Sequence, residues 1–271
     1  MSNSDTDLFN QLDAEIDDLS NQMTLLEHLD EMRRRLTVVV LAIVIATVFS
    51  LIFAPQLVEV LARPLDVPIV DDQGDVIDVT PGVEILQSIE VTENISVFMR
   101  VSFLGGLILA MPVIFYQLIA FIVPGLTDKE KKFIMLAIPA ATALFLGGVA
   151  FAYFVMLPKA VPFLISFLGI KTAPRPANYF SFATRLIFWI GVSFELPLFM
   201  ALLARLGVLN HSFLITNARY AVVIIAVLAA FITPTPDPLN MGLVMAPLIL
   251  LYGLGIILAK IFYRPRDSFV D

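Results

Sequence analysis

One carboxylate, Glu195, stands in the middle of an apolar run, nine residues from each end of residues 186–204. On insertion scales a charged side chain at the bilayer centre costs about 2.5–3.5 kcal/mol, so such a group faces protein or water and has a task. Three tasks fit: relaying a proton, binding a polar group on a partner helix, or closing an internal hydrogen bond. Two more acids, Glu31 and Glu130, each stand just before an apolar run. Carboxylates so separated can each hold one guanidinium in a forked, bidentate pair. Glu130 also follows Thr127 by three residues, a capping-box pattern that accounts for it without any ligand. Asp237, set between Pro236 and Pro238, fits turn chemistry.

The element that must position Glu31 is the stretch TLLEHLDEMRRRL, residues 24–36. Leu25, Leu29, Met32 and Leu36 step by four, three and four, one stripe of a helix. Thr24 and Glu27 form a capping box at its start. Its other face carries Glu27, Asp30, Glu31, Arg33, Arg34 and Arg35. A charged amphipathic helix at a membrane surface therefore feeds straight into a span, and its arginines hold that end in the cytoplasm. Two readings fit. The face is a docking surface, or it is a topogenic arginine cluster with ordinary Glu31–Arg35 pairing worth only about 0.3–0.5 kcal/mol.

Composition sets the class. The 271 residues are 59% hydrophobic and 15% charged, against about 45–50% and about 25% for soluble domains, so the chain is an integral membrane protein. There is no cysteine, which excludes disulfides, thiolate metal sites and a cysteine nucleophile. His28 and His211 stand alone, so no histidine metal cluster is expected, and no cofactor. The net charge of −7 is concentrated in residues 1–23 and 59–93. No basic patch with interleaved aromatics points to nucleic acid. Residues 1–23 lack an apolar h-region, so they are expected as a solvated acidic tail rather than a cleavable signal peptide.

Six spans are expected, at about residues 36–54, 101–123, 133–157, 186–204, 217–232 and 241–259, within a membrane domain of residues 24–262 followed by a tail at 263–271. Residues 55–80, rich in proline, glycine and aspartate, read as an exposed loop, and residues 81–100 as an amphipathic helix leading into the second span. Residues 158–178, with four prolines, read as a second external segment. The fifth apolar run, residues 220–232, is only thirteen residues, about 20 Å of helix. It borrows polar residues from Asn217 inwards or sits in thinned bilayer. Eleven of the seventeen lysines and arginines fall on the side that carries both termini, which the positive-inside rule makes cytoplasmic. Pro112, Pro139, Pro197 and Pro247 bend their spans, and Gly105, Gly106, Gly147, Gly148 and Gly191 suit a closely packed, curved wall. Membrane helices are also richer in proline and glycine than soluble ones. No internal repeat of the kind that builds secondary transporters is evident.

The stretches EHLDEMRRRL, ARPL, MPVIFYQLIAFIVPGLTDKEKK, GVSFELPLF and TPTPDP, in this order over about residues 24–262, resemble the TatC family, the polytopic subunit of the twin-arginine protein translocase. The resemblance implies an all-α fold, a concave wall of six helices with short fifth and sixth spans, in a prokaryotic inner membrane. It implies a receptor rather than an enzyme. Such a receptor binds twin-arginine signal peptides of folded cargo at the cytoplasmic face. It recruits single-span TatA- and TatB-type subunits within an oligomeric complex, and the proton-motive force drives export. Positions matching the family's signal-binding residues are Glu31, Arg33, Arg35, Phe121 and Glu130. Glu195 matches its intramembrane polar position, and Pro64 and Asp237 match other sensitive positions. The loop TDKEKK departs from more His- or Arg-bearing versions without touching a matched carboxylate.

The other functional reading is a proton-coupled small-solute transporter with Glu195 as proton carrier. It calls for several intramembrane polar groups, and only one is present. A bare structural scaffold leaves Glu195 and the two boundary acids without a role. An enzyme would need a nucleophile–base set or metal cluster, and neither stands at a suitable depth.

Overall fold

The computed structural model describes residues 29–70, 76–122, 128–166, 174–233 and 238–263. The first helix, α1 (Leu29–Ile52), keeps most of its apolar side chains exposed, from Leu36 and Leu41 through Val48 to Ile52. A helix that shows hydrophobic surface along its whole length suits lipid, not water. The capping box at Thr24 and Glu27 lies outside the described residues. Beyond α1 come α2 (Ala54–Ala62) and a 3₁₀ turn at Arg63–Leu65.

The segment expected as loop then forms a hairpin, β1 (Val67–Val70) with β2 (Val76–Thr80). The strands are antiparallel, Val67 opposite Thr80 and Ile69 opposite Asp78, with an irregularity between Ile69 and Val70. The hairpin replaces the expected loop within a fold that is otherwise helical. The β-branched residues of VPIV and VIDVT outweigh the aspartates and glycine between them, and Pro68 is tolerated because each strand of a two-stranded sheet is an edge. The helix expected over residues 81–100 is also corrected. It is two pieces, the single turn α3 (Gly82–Ile85) and the start of α4 (Val91–Ile122), separated by extended residues 86–90.

From α4 onward the fold is helical: α5 (Asp128–Phe151), a π-helical turn at Ala152–Met156, α6 (Leu157–Ser166), α7 (Pro176–Ser193), α8 (Leu196–Arg205), α9 (His211–Thr216), α10 (Ala218–Ile232) and α11 (Pro238–Phe262). Five helical stretches among the described residues are long and apolar enough to cross a membrane, and α10 is a shorter sixth apolar helix. Its 15 residues reach about 22 Å at ~1.5 Å each. Residues 158–166, expected outside the membrane domain's helices, continue the third span as α6. The π turn absorbs the lost backbone bond just before Pro158, with Leu157 N–H donating back to Ala152.

Close packing depends on two glycine contacts. A Cβ on Gly106 would come within 2.5 Å of the Thr47 Cα, and one on Gly148 within 2.9 Å of the Gly191 Cα. The first brings α1 against α4 and the second α5 against α7. Gly147, by contrast, faces open space. The main core collects Val97, Val101 and Leu104 of α4, Leu157 and Val161 of α6, Phe180, Leu186 and Ile190 of α7, and Ile232 and Leu248 of α10 and α11.

Candidate functional site

Arg35 is the hinge of the first candidate site. Its Nε and Nη2 both donate to Glu31 Oε1 one turn earlier, at 3.0 and 2.5 Å. Its Nη1 donates to Gln117 Oε1 on α4 at 3.3 Å. The i,i+4 pair expected from sequence therefore forms, and it is also tied to a second helix. Gln117 and Phe121 are themselves four apart and share a face of the last turns of α4. The start of α1 and the end of α4 thus bring Glu31, Arg35 and Phe121 into one neighbourhood. Arg33 is exposed, and its carbonyl accepts from the Thr37 hydroxyl at 2.8 Å. Glu130 lies in the first turn of α5, and α5 packs on α4. Thr127, its expected capping partner, lies outside the described residues.

Glu195 occupies a break in the fourth span. The α ladder stops at Ser193 and restarts at Leu196, and Glu195 N–H bonds Val192 in a tighter i→i+3 turn. Pro197, in the first turn of α8, has no N–H to offer the Ser193 carbonyl, so the break is written in the sequence. The Glu195 side chain is half-buried and reaches toward the Phe145 backbone of α5. Its Oε1 is enclosed without a hydrogen-bond partner. A buried acceptor left so is costly, and a donor from outside the chain would relieve it.

Pro64 terminates α2. Its ring cannot supply the N–H that would continue the helix to Val60. Two tyrosines serve the carbonyls at that end: Tyr153 donates to Val60 at 2.7 Å and Tyr179 to Leu61 at 2.6 Å. Asp66 then accepts from Gly82 N–H at 2.7 Å, pinning α3 to the 3₁₀ turn. Asp237 lies outside the described residues.

One polar cluster was not legible in the sequence. Glu93, 4% exposed, takes bonds from the Ser88 hydroxyl and Ile89 N–H, both at 3.2 Å. Arg175, from the residue before α7, donates its Nε to the same carboxylate at 2.7 Å and its Nη2 to Glu90 at 3.1 Å. Hydrogen bonding to Glu93, then Glu90, raises the Arg175 pKa above its ordinary value. Nothing local named a partner 82 residues away. Among the described residues no three His, Cys, Asp or Glu side chains are grouped to hold a metal ion.

Residues 27–247 match the family model for the Sec-independent protein translocase protein TatC. The chain belongs to the TatC family. It is 35% identical over 247 residues to the TatC protein of Carboxydothermus hydrogenoformans, covering 90% of this chain and 96% of that one. To the Deinococcus radiodurans TatC it is 38% identical over 240 residues, covering 88% and 86%. Two crystal structures of the twin-arginine translocase receptor TatC, one of them in DDM, align with TM-scores of 0.73 and 0.74 at 30% identity. They cover 88% and 86% of this chain and 100% and 99% of theirs. Membership makes the chain a multi-pass bacterial transport protein, a translocase subunit rather than an enzyme.

Proposed function

We propose that this chain is the receptor core of a twin-arginine translocase. It binds twin-arginine signal peptides of folded cargo through Glu31, Arg33, Arg35, Phe121 and Glu130. It docks single-span TatA- and TatB-type subunits, with Glu195 as a polar contact, and works in an oligomeric complex driven by the proton-motive force. Its six helices cross the cytoplasmic membrane with both termini inside, residues 1–23 forming an acidic tail. The observation that carries the reading is the Arg35 bridge, which holds Glu31 beside the α4 face bearing Phe121.

Both bonds from Arg35 land on one oxygen of Glu31, whereas a forked pair with a signal arginine uses both oxygens. An incoming guanidinium therefore competes with Arg35, and Gln117 holds Arg35 in place as it yields. Glu130 supplies a second carboxylate for the second arginine. Lysine forms no fork, so Glu130→Ala weakens cross-linking of an RR peptide far more than of a KK peptide. Glu130→Gln keeps a capping group and removes the charge. Full binding by Glu130→Gln would reduce Glu130 to a helix cap.

A further inference from the structure

At the end of α1 opposite Glu31, a cavity of about 410 Å³ opens between α2, the extended residues 86–90, the first turns of α4 and the start of α7. Its size falls within the ~300–1,000 Å³ common for small-ligand sites. Its walls divide into two ends. Val58, Val97, Phe98 and Phe180 make an apolar chamber, while Ser88 and Asn94 add polar groups. The Glu93–Arg175–Glu90 cluster stands beside the polar end, since Ser88 bonds Glu93 and Arg175 precedes the lining residue Pro176. Glu93 is spent on these bonds, whereas Glu90 accepts a single bond from Arg175 and its side chain stays 64% exposed. The charged groups joined to the polar end are Glu90 and Glu93 against Arg175, two acids to one base. The surroundings are therefore net negative. They disfavour an anionic headgroup and suit an ammonium.

The chamber adjoins helices that cross the membrane, and its polar end coincides with the charged groups that begin α4 and α7. An aliphatic tail with a cationic head at the membrane boundary matches both ends. We propose that this cavity binds one phospholipid of the leaflet opposite Glu31, its acyl chain among Val58, Val97, Phe98 and Phe180 and its ethanolamine ammonium at Glu90. The site rests on the membrane-spanning fold and not on signal-peptide recognition. The pair between buried Glu93 and the more exposed Arg175 positions the rim, fixing residues 86–90 against α7 so that the cavity stays open.

The test uses the full chain in nanodiscs, with phosphatidylethanolamine or phosphatidylglycerol carrying a photoreactive group at the acyl-chain end, and cross-links mapped by peptide mass spectrometry. Labelling is expected on the peptides bearing Val97, Phe98 and Phe180. Ethanolamine lipid should label about threefold more than glycerol lipid, the yield of a partly exposed ion pair, and Glu90→Gln should erase that preference while keeping the chain-end label. Asn94→Trp, at an exposed lining position, should close the mouth and abolish labelling with an unchanged melting temperature. Labelling spread evenly along α1, or unaltered by Asn94→Trp, would overturn the site. Equal labelling by both headgroups in the unaltered protein would overturn the ammonium assignment. None of these readouts uses export, so the lipid site and the receptor reading fail separately.

Discussion

At the scale of single residues, two carboxylates are held in opposite ways. Glu31 is satisfied by Arg35 on its own helix, and Arg35 is tied in turn to a second helix through Gln117. Glu195 keeps an enclosed oxygen without a partner beside a break in its own ladder. The contrast suits an exchangeable ion pair at one position and an open acceptor at the other. An amide hydrogen-bonds much as a carboxyl does, but it releases no proton. If Glu195 receives a partner helix, Glu195→Gln keeps most export of a folded twin-arginine reporter, and Glu195→Leu loses both export and cross-linking to the single-span subunits. Equal loss of export in both variants, with partner cross-links intact, would instead favour proton carriage.

Whole elements are joined by a few long-range bonds and by close helix contact. The end of α2 is held by Tyr153 and Tyr179, one from the π turn and one from α7. Tyr179 is buried, so Tyr179→Phe leaves the Leu61 carbonyl short of a donor at a cost of about 1–3 kcal/mol. A lower melting temperature in detergent would report it, and no change would mean that water or another donor takes the place of the hydroxyl. The α1–α4 contact is stricter, because the Thr47 backbone itself occupies the space a side chain at Gly106 would need. Gly106→Leu should cost about 1–3 kcal/mol or more by overpacking, whereas Gly147→Leu, facing open space, should change the melting temperature little. Equal effects at the two glycines would contradict the packing described.

For the whole molecule, the proposed arrangement of six spans with both ends inside makes definite assignments. Topology reporters fused near Asp72 and Pro174 should read outside, and those near Asp128 and His211 inside. A cytoplasmic signal at Asp72 would invert the arrangement and move the phospholipid cavity to the inner leaflet. As a span, the short α10 would offer about 22 Å of apolar helix against about 30 Å of hydrocarbon, a mismatch met by a thinner bilayer or by neighbouring helices.

Composition and periodicity determined the membrane class, the order of apolar helices, the brevity of α10 and the break at Glu195–Pro197. Those properties are local: an apolar run must meet lipid, and a proline removes a backbone donor wherever it stands. The family motifs carried the resemblance that the comparisons bear out. Local reading failed at residues 67–100, where the hairpin and the interrupted helix replaced a loop and a continuous helix. There the competing propensities are nearly balanced, and pairing between strands or with Arg175 tips them. Tertiary structure alone decided that Arg35 reaches Gln117, that Arg175 buries Glu93, and that two tyrosines close the end of α2. Each of these joins residues about 80 to 120 positions apart. Such partners are selected by how helices pack, and no spacing along the chain encodes them.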